Sequence, residues 1–592
     1  MLLRKIVESY AQIFRRRLAS VDALPQLALL GLLSGTLTAA VILLFRWAIE
    51  WPLERLLPAQ NPENFEALGL LSRFTLPFAG SILIAILWHR LQSHERRLGV
   101  SLVMERLNYH QGHISFRSAL IQFAAGLITL TTGQSAGREG PAVHLGAACS
   151  SLLGQRMGLP NNSIRLLVGC GTAAAISASF NTPIAGVIFA MEVVMMEYSI
   201  AGFTPVILAS VTAALITQSV LGAEPAFLVL QLNMNSLLEV PYVICLAVVI
   251  GCASAAFVKL ITLTQHLKSR PIHWRILGAG VLTGLAAMLY PQIMGAGYDT
   301  VNEALFGQLP ILTLLAIAVI KLVVTSLASG LGMPNGLVGP TLFIGATLGA
   351  AMGLLGAVFA PDTASSPGFY AMIGMGAMMG ATLQAPLAAL MALLELTQNP
   401  NIILPGMLAI VVSSMIASEV FKQKSVFLTL LKLQGLDYQN EPVLQALRRV
   451  GVGSIMERKF ERANKQIDYA KAKEILKKEP RWILVDGDKC PLALLPAVDL
   501  ARFLEEKEPV FKALENEQDV APMLIDLLAM PAQRKDVASL HSQATLQEAL
   551  DRFNETSAEA LYIERISAPM LTSVQGVITK SDVESYYQYK RK

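Results

Sequence analysis

Gly137-Arg-Glu-Gly-Pro141 leads straight into the small-residue, helix-forming run Ala142 to Leu152. Proline is favoured at a helix start because its missing N–H costs nothing there, and flanking glycines let the chain approach a ligand closely. A helix start also offers free backbone N–H groups and the positive end of a dipole, which together favour an anion, whether chloride or a carboxylate. The same punctuation recurs along the chain, where Asn181-Thr-Pro183, Gly332 to Pro340 and Gln384-Ala-Pro386 each interrupt an apolar segment. Gly171, Asn181-Thr-Pro183-Ile-Ala and Glu192 return as Gly374, Gln384-Ala-Pro386-Leu-Ala and Glu395, always 203 residues later. Gly137-Arg-Glu-Gly-Pro141 returns more loosely as Gly336-Leu-Val-Gly-Pro340, 199 residues later. Such breaks expose unpaired backbone groups, which hydrocarbon tolerates only where protein or a polar cavity surrounds them. Duplicated broken helices are the arrangement of repeat-built transporters, whose site lies between the halves. One sequence leaves open whether those halves are inverted.

The surroundings of the breaks are those of a membrane protein. The 592 residues are 53% hydrophobic and 15% charged, whereas soluble chains carry about 25% charge. Disorder, collagen and disulfide scaffolds are excluded. Leu27 to Leu44, Pro241 to Leu263 and Leu312 to Leu327 approach the roughly 20 residues that one crossing requires. The net charge is only +4, so nothing in the total points to nucleic acid as a partner. Arg4, Lys5, Arg15, Arg16 and Arg17 precede the first apolar stretch, and such a cluster is expected to stay cytoplasmic. An even number of crossings follows if the C-terminus is also inside. The segment from Leu24 reads as a retained helix rather than a cleaved signal. Cys149, Cys170, Cys245, Cys252 and Cys490 show no metal-ligand spacing, and four of them lie in apolar runs where cysteine packs as a small hydrophobe. Near Gln439 the composition turns to charged, alternating patterns such as Glu474 to Lys478 followed by Trp482 to Asp486. Residues 1–23 are therefore read as a cytoplasmic N-terminal segment, 24–438 as the transmembrane domain and 439–592 as a cytoplasmic region.

Glu139 is the residue with the most chemistry to explain, because a charged carboxylate at membrane depth costs about 2.5–3.5 kcal/mol or more. As a structural group it would cap the helix and pair with a neighbour such as Arg138. As a functional group it would compete with a permeating anion for the same N–H groups and leave when protonated; the flanking glycines favour this role. Glu192 and Glu395 hold equivalent repeat positions, which argues for a shared structural duty such as satisfying a broken helix end. His144, Lys259 and Lys321 read as interhelical hydrogen-bonders or snorkelling side chains. Gly133-Gln-Ser135-Ala-Gly137 fits the G-x-S-x-G elbow of hydrolases, but the residues before it read as a membrane helix rather than the required strand. An intramembrane serine hydrolase is thus a remote alternative, and no enzyme is expected. No HExxH or P-loop pattern occurs.

Gly137-Arg-Glu-Gly-Pro141, Gly336-Leu-Val-Gly-Pro340 and Asn181-Thr-Pro183-Ile-Ala-Gly186 with Phe189-Ala-Met-Glu192 together resemble the CLC family of voltage-gated chloride channels and chloride/proton antiporters, over the chain from the first helix to about Leu431. The resemblance implies an all-α polytopic membrane protein of two inverted halves with tilted, broken helices. It also implies a homodimer in the lipid bilayer with a pore in each subunit. It makes Glu139 the external gating glutamate. The implied chloride site comprises Gly137, Arg138, Glu139 and Gly140 of the first break, Gly336, Leu337 and Val338 of the second, and Phe427, with the N–H groups of Leu337 and Val338 helping to hold the central ion. Three positions depart from the family pattern. The family's anion-facing serine falls on Leu98 in Arg97-Leu-Gly-Val-Ser101, with Ser101 in place only if the register shifts. Its inner tyrosine falls on Phe427, which keeps the ring and loses the hydroxyl. Its inner proton-accepting glutamate falls on Val193, which cannot carry a proton.

These departures lead to an expectation of chloride transport gated by Glu139, channel-like or weakly coupled to protons, with obligatory chloride/proton antiport as the alternative. No cofactor is required. A bacterial inner membrane with both termini cytoplasmic is the expected location. The tail resembles a cytoplasmic α/β pair of CBS domains, each a β-α-β-β-α unit, roughly Val450 to Glu505 and Leu540 to Tyr587. Thr579 and Asp582 match a Thr-x-x-Asp spacing that contacts ribose in relatives that bind adenine nucleotides. The first unit has Pro496-Ala-Val-Asp499 instead, so a single nucleotide site or a purely structural dimerising tail is expected.

Overall fold

The computed structural model describes Leu18 and the chain from Ala23 to Tyr589, apart from residues 58–60, 199, 223–226, 228–232, 362–363, 437–441, 488–489, 516–523 and 569–570. The basic cluster of Arg4, Lys5, Arg15, Arg16 and Arg17 lies outside the described residues. Two compact units form, one from Leu27–Met157 with Ile164–Gln439 and the other mainly from the chain beyond Asn440.

The first unit is helical. Among the described residues nine helices are long and apolar enough to cross a membrane. Three of them, Leu24–Leu56, Val240–Leu263 and Ile311–Leu331, carry the long apolar stretches of the sequence. The Gly/Pro breaks fall where expected. Helix Asn161–Phe180 stops, Asn181 turns the chain at φ 60° and Pro183–Phe189 restarts it, continuing through Ala190–Met195. In the other half Pro367–Leu383 stops, Gln384 turns at φ 53° and Pro386–Thr397 follows. In each restart proline takes the first helical position.

The two restarts cap one another. The Glu395 carboxylate accepts the N–H groups of Ile184 at 2.9 Å and Ala185 at 2.7 Å. Glu192 does the same for Leu387 at 3.3 Å and Ala388 at 2.6 Å. Orphan donors at a helix start are thereby satisfied by a carboxylate, which is the structural duty expected of the pair. Because each half supplies the cap for its equivalent, the halves are related by a two-fold axis. The breaks before Glu139 and Val338 meet in an antiparallel bridge, Gly137 to Gly336, as an inverted repeat requires.

Cys170 is buried and Cys149 half-buried, but Cys245 and Cys252 are exposed on Val240–Leu263. Exposure on a membrane-length apolar helix is compatible with cysteine as a small hydrophobe.

The tail forms a six-stranded sheet in the order β1-β3-β4-β6-β7-β8, where β1 is Phe460–Asn464, β3 Trp482–Asp486, β4 Pro491–Pro496, β6 Lys535–His541, β7 Ala560–Ala568 and β8 Leu571–Thr579. Strands β1 and β3 run parallel across helix Tyr469–Lys477, and β6 and β7 run parallel across Leu546–Thr556. Antiparallel partners β4 and β8 complete two β-α-β-β-α modules. Two short strands, β2 (Gln466–Asp468) and β5 (Leu524–Asp526), pair separately. One boundary differs from the sequence reading. Leu447, Val450 and Val452 belong to the core of the second module, with Phe553, Leu561 and Ile578. The cause is backbone pairing: Val452 N–H donates to Ala544 at 2.8 Å and Leu546 N–H donates to Val450 at 2.9 Å.

Candidate functional site

The two broken helix starts face each other. Gly137 N–H donates to the Gly336 carbonyl at 2.9 Å, and Gly336 N–H returns the bond at 3.1 Å. Nothing larger than glycine fits: a Cβ on Gly140 would lie 2.9 Å from the Gly336 Cα. Glu139 opens helix Glu139–Arg156 and is wholly buried. Its Oε2 accepts the N–H of Gly339 at 3.1 Å, in the first turn of Val338–Phe359 from the other half. Its Oε1 accepts the Tyr298 hydroxyl. The carboxylate therefore occupies a helix-start donor where an anion would bind.

Arg138, the structural partner suggested by sequence, makes no hydrogen bond to Glu139 among the described residues, though it senses the Glu139 charge. Its Nη2 donates to the Ser179 carbonyl at 3.2 Å, and its guanidinium lies 5.3 Å from the centre of the Tyr298 ring.

Sequence reasoning missed Tyr298. The signal was present in Gly295-Ala-Gly297-Tyr298, two glycines in left-handed backbone, φ 56° and 76°, ahead of a polar aromatic residue. Lys321 fastens this segment. Its fully buried ammonium donates to the carbonyls of Gly295 and Ala296, each at 3.1 Å, and of Ile293 at 3.3 Å, and lies 4.1 Å from the Phe343 ring centre. It is thus an interhelical hydrogen-bonder, as is His144, which contacts Gln122 at 3.0 Å and Ser118 at 3.1 Å. Lys259 is exposed. The Ser135 hydroxyl is bonded to Thr325 at 2.7 Å, a partner with no base to offer a nucleophile.

The expected chloride site divides once these bonds are counted. The N–H groups of Gly137 and Gly336 are spent on each other, and that of Gly339 on Glu139. Leu337 caps the second helix and Val338 opens it, so their N–H groups are among those an α-helix leaves unpaired. A cavity of about 540 Å³ reaches Gly140, Gly336, Leu337 and Phe427. Leu98 also lines it, as N-cap of Gly99–Tyr109, and the Ser101 hydroxyl turns back to the Leu98 carbonyl at 3.3 Å. Ser101 lines the same cavity beside Leu98. Arg96, Arg97, Lys268, Arg270 and Arg275 line the same cavity, and among the described residues no carboxylate does, so its field attracts anions. Val193 is buried among apolar side chains of the main core.

In the tail, Thr579 and Asp582 form a reciprocal cap. Thr579 donates its N–H at 2.9 Å and its hydroxyl at 2.6 Å to Asp582 Oδ2, and Asp582 N–H donates to Thr579 Oγ1 at 3.3 Å. In full-length protein Asp582→Ala is expected to lower the stability of the tail by about 0.5–2 kcal/mol, read from its denaturant midpoint.

Membrane-length helices, two clasped anion-attracting helix starts and a carboxylate seated between them define a polytopic membrane protein of the broken-helix transporter class. The chain belongs to the voltage gated chloride channel family, which matches residues 80–418. It is 33% identical over 350 residues to a putative chloride channel protein ClcB-like of Ralstonia nicotianae, covering 58% of this chain and 82% of that one. It is 28% identical over 422 residues to the H(+)/Cl(-) exchange transporter ClcA of Salmonella arizonae, covering 68% and 88%. Among solved structures, a slow cyanobacterial Cl-/H+ antiporter has a TM-score of 0.60 at 22% identity, covering 71% of this chain and 98% of that one. A CLC-type fluoride/proton antiporter has 0.57 at 26%, covering 69% and 98%. A eukaryotic CLC transporter has 0.55 at 18% and covers 96% of this chain and 98% of that one, tail included.

Proposed function

We propose that this chain moves chloride across a membrane in exchange for protons, with Glu139 as the gate of one pathway in each subunit. The observation that carries this reading is the Glu139 carboxylate on the Gly339 amide. An anion gains that donor only when the carboxylate leaves, and protonation removes the charge that holds it there. Chloride entry and proton arrival are thereby linked at one side chain. Leu337 and Val338 amides would hold the central ion beside the Phe427 ring, and the cation-lined cavity would raise the local anion concentration. The exchange activity named for the Salmonella relative supports the coupled form.

A second reading, passive chloride flow gated by Glu139, is favoured by Val193, which leaves no acid at the family's inner proton position. Purified protein in liposomes separates the two. A chloride gradient is expected to drive protons uphill, read with a pH dye. Chloride flux with no pH change would select passive flow, and vesicles that retain their chloride would overturn both.

The protein is expected to work as a homodimer in the bacterial inner membrane, both termini cytoplasmic, with no required cofactor. Ile184 and Leu387, equivalent in the two halves and about half exposed at 52% and 49%, offer an apolar face for a second copy. For the tail, the reciprocal cap favours a structural role for Thr579 and Asp582. Calorimetric titration of the full chain with AMP, ADP and ATP is expected to show no binding; binding lost in Asp582→Ala would restore the ribose-contact role.

A further inference from the structure

Glu139 has no exposed surface, yet its release requires a proton. A cavity of about 70 Å³ lies against Tyr298, the residue whose hydroxyl holds Glu139. That is space for several water molecules. Four charged side chains line it: Arg46 and Glu50 of helix Leu24–Leu56, Glu63 of the loop that follows, and Arg138. Glu50 pairs with Arg46, Nε to Oε1 at 2.5 Å. Arg138 spans the space, 5.3 Å from the Tyr298 ring centre and 4.0 Å from Glu50, and its buried Nε has no hydrogen-bond partner among the described residues. Glu63 is half-buried at the rim, in reach of solvent on one side and of the cavity on the other.

Resting on the exchange reading above, we propose that this cavity loads the gate with its proton: Glu63 takes the proton from solvent and passes it through cavity water and the Tyr298 hydroxyl to Glu139. In the transfer the Tyr298 O–H bond breaks as an O–H bond forms at Glu139 Oε1. The tyrosine oxygen takes a proton from a water in the cavity, and that water takes one from the Glu63 carboxyl. Glu63 is left as a carboxylate facing Arg138 and is reprotonated from solvent, so one proton moves and no group is consumed.

The surroundings suit Glu63 to this task. Burial pushes its carboxyl above the usual range; Arg138 and Arg46 oppose that shift, while Asp299 and Glu50 reinforce it. Lys321, which fastens the Tyr298 segment, also senses the Glu63 charge. A carboxyl so raised stays protonated closer to neutral pH and can give its proton up, the property of a general acid. The next turn repeats the tendency, with Glu66 pushed up to about 7 by burial, Asp299 and Glu303.

The test uses full-length protein in liposomes, with chloride-driven proton flux and chloride binding measured in parallel. Glu63→Gln is expected to slow proton flux at least about tenfold with chloride binding unchanged, and Glu63→Asp to restore it. Tyr298→Phe, nearly isosteric, is expected to slow proton flux as Glu63→Gln does and keeps the test available if that variant does not fold. Proton flux at the unaltered rate in either Glu63→Gln or Tyr298→Phe would overturn the loading route alone. Chloride flux without protons in the unaltered protein would overturn the exchange reading and this route together.

Discussion

Glu139→Ala is expected to move chloride at a rate that does not change between about pH 4 and pH 8, and to carry no protons. The carboxylate is the group seated on the Gly339 amide and the acceptor of the Tyr298 hydroxyl. Truncation at Cβ frees both donors for an anion and removes the titrating side chain from between the helix starts. With Glu139 as the proposed gate, the unaltered protein is expected to gain flux in acid and to lose it again as the pH rises. The variant keeps the open path at every pH, so its flux should match or exceed that of the unaltered protein in acid. Glu139→Gln, neutral and similar in shape, should behave like the protonated state. Flux measured at stepped pH with a chloride electrode checks both variants. Acid activation that persists in Glu139→Ala would move the gate to another carboxyl, and the raised carboxyls of Glu63 and Glu66 would then be the first to substitute.

The architecture was legible where it depends on local backbone chemistry. Proline and glycine mark helix restarts because of what they do to φ and to the N–H inventory, so the breaks at Pro183, Pro386 and ahead of Glu139 and Val338 could be read from the chain. The repeat was legible because equivalent residues keep their spacing. That spacing also carried the reciprocal capping by Glu192 and Glu395, in which two distant carboxylates serve equivalent helix starts. Contacts between segments remote in sequence were not legible. Tyr298 lies 159 residues from Glu139, and no periodicity links a hydroxyl to a carboxylate across that distance. Glu63 carries no signal in the sequence, since only the fold brings Arg46, Glu50 and Arg138 around it. For a related reason, counting helix-start amides along the chain cannot reveal that Gly137 and Gly336 pair with each other. In the tail, the secondary-structure order was readable. The exchange that gives Val450 and Val452 to the second module depends on backbone pairing with Ala544 and Leu546 that alternation alone does not specify.

That clasp supplies the other large expected effect. Gly336→Ala is expected to abolish chloride transport and to destabilise the membrane unit. A methyl at this position would collide with the Gly137 carbonyl oxygen and lie 2.8 Å from Gly140 N and 2.9 Å from Gly137 C. All three neighbours are backbone, so no flexible side chain can give way. Separation of the strands would break both clasp bonds and strand buried amides at about 1–3 kcal/mol each, added to about 1–3 kcal/mol of overpacking strain. Folded domains hold only about 5–15 kcal/mol in reserve, so the loss is a large share of what keeps the unit folded. The same displacement would pull the Leu337 and Val338 amides out of line with Glu139 and dismantle the site even in molecules that stay folded. Gly278→Ala is the matched control: it adds one methyl inside helix Ile272–Leu289 with nothing within 4 Å. Alanine exceeds glycine there by about 1 kcal/mol in helix propensity, so the control should melt at or slightly above the unaltered temperature with full flux. Equal melting temperatures and equal flux for the two variants would show that the clasp neither joins the halves nor aligns the amides on which the proposed chloride pathway depends.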